Sequence, residues 1–305
     1  MSSVGLMPSR EATMAGSTGI CNAMTVDVED YFQVEGFADV VDRSAWDRYE
    51  SRVVANTGRL LDVFARGNVR ATFFVLGWVA RRYPGLVRDL AAAGHEIACH
   101  GMSHRLIYSQ DPVEFRAETR DAKAILEDIG QKSVVGYRAA TYSITRESLW
   151  ALDVLCEEGF EYDSSIFPMR HDRYGIPDAE VRPHKLSTPK GRQLVEFPIS
   201  VLRMGFATLP LGGGGYFRLF PYRLTQWGLR KLNARQQEFV FYIHPWEVDV
   251  SQPRVQGAGA MSRFRHYLNL DRCAERLMHL LEDFEFDTMR TVLARRGLLP
   301  THAAA

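Results

Sequence analysis

The chain has 305 residues, 46% of them hydrophobic, and its 37 Lys and Arg match its 37 Asp and Glu for a formal net charge of zero. That balance, with no dense Lys/Arg run, gives no reason to expect a nucleic-acid or anionic-membrane partner. The length supports a sizeable core, in one large α/β domain or two smaller ones. Four cysteines, at 21, 99, 156 and 273, form no CxxC pair, which argues against a disulfide framework and for a reducing compartment.

In chain order, residues 1–21 read as a flexible tail. They hold no continuous apolar run of the signal-peptide kind, and no stretch approaches the roughly 18 apolar residues of a spanning helix. A cytoplasmic protein without a transmembrane segment is therefore expected. "CNAMTVDVEDYF" predicts a strand to about Val28 that delivers acids at its C-terminal end. "NTGRLLDVFARGN" has helical apolar spacing and a closing Gly. "RATFFVLGWVA" predicts a buried strand, "RRYPGLVRDLAAAGH" a helix, "EIACH" a strand and "DPVEFRAETRDAKAILEDIG" a long amphipathic helix. "SVVGYRAA" continues as strand, "TRESLWALDVLCEEG" as helix and "YDSSIF" as strand. Residues 165–220, rich in Pro with four glycines at 212–215, predict a loop-rich insertion or rim. "FVFYIHPWE" is an aromatic strand, "RCAERLMHLLEDFE" a helix, and 299–305 a disordered tail. The β-α-β-α order predicts a parallel sheet with helical crossovers in one barrel-like domain, 22–298, whose chemistry gathers at strand C-terminal ends.

The reactive-looking residues fall at those ends: Asp27, Glu29 and Asp30, then His100 and His104, Arg138, Asp163 and His244. Two neutral imidazoles with a carboxylate suit a borderline cation such as Zn²⁺ and leave positions open for water. The plainer reading of the HxxxH is a surface turn with two unrelated histidines. The acids alone could be a solvated loop or a helix N-cap, although unpaired carboxylates at the mouth of a buried strand need a partner. Side-chain alternation puts Asp27 and Glu29 on one face, and Asp30 joins them only if the chain bends. Arg138, after an apolar run, suits a buried carboxylate. His244, among aromatics, is either a core histidine or an acid/base group. His95, His171, His184, His266, His279 and His302 read as structural.

"TVDVED", "CHGMSH", "GYRAATYS", "YDSSIFP" and "FYIHPWE" occur here in the order found in polysaccharide deacetylases of the NodB-homology type, carbohydrate esterase family 4. The chain resembles in particular a branch associated with exopolysaccharide and exosortase gene clusters, over roughly residues 22–295. The resemblance implies a distorted (β/α) barrel of about seven parallel strands and a divalent metal, Zn²⁺ with Co²⁺, Mn²⁺ or Ni²⁺ as alternatives. By the same likeness Asp27 is the base, His100 and His104 are metal ligands, Arg138 orients Asp27 and His244 is the general acid. The carboxylate ligand is Asp30 if the strand bulges and Glu29 otherwise; Asp30 is the expected one. Ala140 stands where the family usually has a proline. Tyr31, Tyr142 and Trp246 are candidate sugar-binding aromatics, and a backbone N–H near Tyr142 a candidate oxyanion donor.

The expected reaction is removal of acetyl groups from N-acetylated sugars of a bacterial polysaccharide or a lipid-linked precursor. The alternatives are hydrolysis of small cyclic amides, as in allantoinase- or imidase-like relatives, and a metal-free carbohydrate-binding or scaffold protein.

Overall fold

The computed structural model describes residues 19–205 and 207–301; the tail readings for 1–18 and 302–305 lie outside them. The first half runs β1 (Cys21–Val28), α1 (Val53–Arg66), β2 (Thr72–Val75), α2 (Gly77–Arg82), α3 (Pro84–Ala92), β3 (Glu96–Cys99), α4 (Pro112–Gly130), β4 (Gly136–Tyr137), α5 (Trp150–Glu157) and β5 (Tyr162–Asp163). The second half runs β6 (His184–Ser187), β7 (Gln193–Glu196), β8 (Val201–Met204), β9 (Ala207–Pro210), α6 (Gly214–Leu219), α7 (Tyr222–Ala234), β10 (Val240–Ile243), α8 (Ala260–Tyr267), α9 (Cys273–Asp283), β11 (Glu285–Asp287) and α10 (Met289–Arg295).

One sheet takes strands from both halves in the order β10-β1-β2-β3-β4-β5-β7-β6, with β11 also on β1. All these pairings are parallel except β6 on β7. The expected parallel α/β architecture is therefore present. Among the described residues no ladder joins β6 to β10, so the barrel is open.

Period-two alternation separates two cores. Met24, Val26 and Val28 of β1, Phe73 and Val75 of β2, and Phe241 and Ile243 of β10 pack in one cluster with the helices, including Leu60 of α1 and Leu126 of α4. Ala23, Phe74, Ala98, Val240 and Tyr242 point the other way, into a second cluster that α10 joins with Met289, Val292 and Leu293. Continuing that second parity past the strand ends leads to Asp27 and Glu29, to His100 and to His244. The site is thus an extension of the inner face.

Several elements differ from the sequence reading. β2 stops at Val75, and Gly77–Arg82 is already helical, because the Gly77 and Trp78 N–H groups are held by the carbonyls after β3. The 165–220 segment contains β6–β7 and β8–β9 hairpins rather than loops alone. Its glycine run is explained by close approach: at Gly213, with φ 127°, an added Cβ would lie 1.9 Å from the Tyr242 carbonyl oxygen.

Candidate active site

Asp27, the last inward residue of β1, is 2% exposed. Arg138 Nη1 donates to Asp27 Oδ1 at 2.7 Å and to Thr25 Oγ1 at 2.8 Å. The rest of the guanidinium donates to the Ser164 carbonyl and hydroxyl and lies over the Phe74 ring, 4.1 Å from its centroid. Arg138 is fully buried, so removing either partner would leave an uncompensated charge, at a cost of about 3–5 kcal/mol. Asp27 Oδ2 is left for the cavity, with Tyr142 Oη donating at 3.5 Å and His244 Nε2 3.9 Å away.

Glu29, His100 and His104, all buried, bring ligand-type atoms within 4.8 Å of one another. His100 Nδ1 lies 2.8 Å from the Arg138 carbonyl, which fixes the proton on that nitrogen and leaves Nε2 a lone pair. Burial holds His100 down at about 4, in the neutral form a metal ligand needs. Burial opposes charge on Glu29, but His104, His244 and His100 outweigh it and keep the carboxylate at about 2. Glu29 Oε2 and His104 Nε2 are 2.8 Å apart without hydrogen-bond geometry, and Glu29 Oε2 has no hydrogen-bond partner among the described residues. Buried acceptors crowded together and unsatisfied, beside a neutral imidazole, are the donor set a divalent cation would complete.

Asp30, the expected carboxylate ligand, is not in this cluster. Glu29 keeps the inward parity of β1, and Asp30 therefore turns to the opposite side, where Oδ2 accepts from Ser51 Oγ, Arg52 N and Val53 N at the start of α1. It is a helix cap. Tyr31, expected to bind sugar, is also elsewhere: it is 2% exposed and packs edge-on against Phe32 in a core cluster.

His244 follows β10 and caps the turn at Pro245–Val248. Its Nδ1 lies 2.9 Å from Glu247 Oε2, and Glu247 Oε1 accepts from Arg218 Nε at 2.6 Å. Burial opposes the imidazolium, yet the bond to Glu247 and the charges of Glu29, Glu247 and Asp27 hold His244 up at about 9. A cation on Glu29 would offset part of that. Burial likewise opposes charge on Glu247, and Arg218 and His244 hold it down at about 2. Trp246 stacks on His244, with ring centroids 5.1 Å apart, and donates Nε1–H to Glu29 Oε1. Sequence reading missed Glu247 and Arg218; "HPWE" contains the first at i+3 from His244, whereas nothing local marks Arg218.

One cavity of about 410 Å³ takes in Asp27, Glu29, His100, His104, His244 and the Tyr142 and Trp246 rings. His171 and His266, read as structural, also line it. His95 does not: its Nδ1 accepts from the Ala71 N–H. Asp163 accepts from Ser165 behind Arg138 rather than entering the cavity. Thr141 and Tyr142 both have φ near +54°, a costly backbone for such residues that aims Tyr142 inward. The Tyr142 N–H donates to the Ala139 carbonyl, so it is not free to hold an oxyanion.

A mostly parallel α/β sheet with carboxylates and histidines at its strand C-terminal ends defines the class: a polar-site enzyme fold of the barrel type. Within that class, residues 43–155 match the polysaccharide deacetylase family, and residues 164–294 match a domain of unknown function, DUF3473. Residues 43–155 thus match a polysaccharide deacetylase domain of the NodB-homology type, over less than half of the chain. Over 100 residues it is 38% identical to a chitooligosaccharide deacetylase of Rhizobium leguminosarum bv. trifolii, covering 32% of this chain and 43% of that one. The chain thus spans less than half the length of that relative. Its fold is similar to a probable polysaccharide deacetylase of Pseudomonas aeruginosa PAO1 (18% identity, 92% of each chain, TM-score 0.61). It is also similar to the allantoinase Puue (14% identity, 94% of this chain and 92% of that one, TM-score 0.59). Fold alone does not separate these two. No helix among the described residues is long and apolar enough to cross a membrane.

Proposed function

We propose that this chain is a metal-dependent N-deacetylase acting on N-acetylated sugars of a bacterial polysaccharide or its precursor. The observation that carries the reading is the meeting, in one cavity, of an Arg-held carboxylate, a Glu-His-His cluster and a carboxylate-held histidine. Glu29, His100 and His104 would hold the cation, Zn²⁺ by the chemistry of the set; when bound it supplies an acidified water and a polarised acetamide carbonyl. Asp27, fixed by Arg138 through one oxygen, takes the water's proton on the other. His244, charged and held at Nδ1 by Glu247, presents Nε2–H to the departing amine, which cannot leave as an anion. The C–N bond breaks as that proton arrives, and acetate and an amino sugar are released. The Tyr142 and Trp246 rings line the cavity as part of an apolar wall against which a sugar can pack.

The test is to incubate zinc-loaded protein with a panel of N-acetylated oligosaccharides and with allantoin, and to measure acetate and ring opening. Acetate from at least one oligosaccharide is expected. Allantoin hydrolysis with no acetate from any glycan would replace this reading with the cyclic-amide one.

A further inference from the structure

The charges lining the cavity are matched to a different degree on its inner and outer walls. Inside, Asp27 has Arg138, Arg218 has Glu247, and Glu29 has the histidines. Farther out, Glu35 has Arg43 at 3.8 Å. Two arginines remain, Arg173 and Arg265, both exposed and lining the cavity; among the described residues neither guanidinium makes a hydrogen bond or a close ion pair, although Arg173 is near enough to Glu35 to favour its charged form.

Their backbones, in contrast, are firmly tied. The Arg173 carbonyl accepts from Tyr108 Oη at 3.1 Å, and its N–H donates to His171 Nδ1 at 3.2 Å. The His171 ring stacks on Tyr174, with centroids 3.8 Å apart and planes 5° off parallel, and Tyr174 stacks on Phe167. Gly175, with φ 104°, closes this loop against the Met169 carbonyl, which an added Cβ would meet at 2.1 Å. Asp172, the nearest acid in sequence, is 2.8 Å from His171. On the other element, α8, the carbonyls of Arg265 and His266 accept from the buried Arg218 guanidinium at 3.0 and 2.9 Å. Both arginines lie near His171, where burial is the main cause of its lowered basicity and their two charges add to it. Leu219 and Phe264, exposed by 48% and 54%, are apolar neighbours on the same cavity wall. Two exposed guanidiniums on tied backbones, with donors not used inside the protein and apolar side chains beside them, are suited to taking a planar anion.

We propose that this outer wall, through Arg173 and Arg265, receives an anionic group carried by the glycan, a carboxylate or a phosphate, so that the substrate is an acidic N-acetylated glycan. This rests on the deacetylase reading and narrows its substrate class. The acetamide reaches the inner cluster while the acidic group, on a neighbouring residue of the glycan or at its reducing end, reaches the two arginines.

The experiment compares three tetrasaccharides with zinc-loaded protein: a neutral N-acetylglucosamine oligomer, one alternating with glucuronate, and the neutral oligomer carrying a reducing-end phosphate. Both kcat/KM from acetate release and Kd from calorimetric titration are measured. Partly exposed ion pairs predict a preference for one acidic oligomer of about two- to fivefold per arginine. The preference should reside in KM rather than kcat and should shrink in 0.5 M salt. In Arg173→Gln/Arg265→Gln the acidic-to-neutral ratio should fall to near one. Which acidic oligomer is favoured distinguishes carboxylate from phosphate. Equal or better use of the neutral oligomer by the unaltered protein, or a ratio retained in the double variant, overturns the proposal. Acetate from none of the three would instead defeat the deacetylase reading, and the Kd ratios then decide the anion site by themselves.

Discussion

Asp30→Ala and Glu29→Gln should have opposite consequences although the two residues are adjacent. The Asp30 carboxylate accepts from Ser51 Oγ at 2.6 Å, Arg52 N at 2.8 Å, Val53 N at 3.1 Å and Tyr31 N at 3.0 Å. Loss of an N-cap costs about 0.5–2 kcal/mol. The cap loss already covers the Val53 N–H; the Tyr31 N–H, on a buried residue and left without an acceptor, adds about 1–3 kcal/mol. A destabilisation of about 3 kcal/mol follows, which in a domain this large lowers Tm by roughly 6 °C. Zinc affinity of the Asp30→Ala protein, measured by calorimetry below its melting range, should stay close to that of the unaltered protein. Glu29→Gln preserves volume and the acceptor for Trp246 Nε1 but takes the anion away from His104 and His100. It should melt, stripped of metal, within a few degrees of the unaltered protein, and fail to retain stoichiometric zinc. An Asp30→Ala protein of normal Tm that has lost zinc, or a Glu29→Gln protein that keeps one zinc per chain, would refute this assignment.

Three further outcomes are expected. His244→Ala should keep zinc and fold, yet lose roughly 10²–10⁴ in turnover on an amide; the loss should be much smaller on an aryl acetate, whose phenolate departs unaided, and equal losses would make His244 merely structural. Glu247→Gln should reproduce part of that amide-selective loss because His244 is no longer held charged, and should cost about 3–5 kcal/mol in urea unfolding since buried Arg218 loses its anion; full amide activity would sever Glu247 from the reaction. The third concerns Glu196, whose carboxyl is pushed up by burial and by Asp163. Its folded form holds a proton that the unfolded chain releases in the ordinary carboxyl range. The stability it contributes is therefore complete at low pH and declines as pH rises, by at most about 1.4 kcal/mol per pH unit. Glu196→Gln should flatten the decline of Tm between pH 5 and 8; an unchanged slope would show that this carboxyl does not titrate there.

Much of the fold was legible because two periodicities coincide with it. The inner parity of β1 was readable in "TVDVED", and carried past Val28 it places Glu29 inward. The expectation of Asp30 invoked a bulge that family likeness suggested and the backbone does not make. Tyr31 was drawn into the site by composition; its ring instead fills the space against Phe32, a packing fact with no signature in one sequence. The 165–220 segment was opaque since short strands such as "HKLS" and "ATLP" lack apolar alternation, and each is placed by its hairpin partner: β6 by β7, which pairs with β5, and β9 by β8. His171 and His266 looked inert because their significance comes from ring stacking that the sequence does not show: Tyr174, three residues on, lies under one ring, and Trp246 stacks on the other with centroids 4.1 Å apart.

The two sequence-family segments divide the site in a way the sheet explains. His100, His104 and Arg138 lie within 43–155, His244, Glu247 and Arg218 within 164–294, and Asp27 and Glu29 precede both. What unites them is β1, paired with β2 on one side through Thr25–Val28 and with β10 through Ala23–Val26. The same strand thus sets Asp27 beside the histidines of one segment and the histidine of the other. Arg218 then ties α6 to the turn after β10 and to the end of α8, bonding Glu247 and the carbonyls of Arg265, His266 and Leu268. One buried cation therefore holds both the carboxylate that orients His244 and the helix that presents Arg265. The geometry of proton delivery and the geometry of the outer wall are mechanically one unit, and changes at Arg218 should disturb both together.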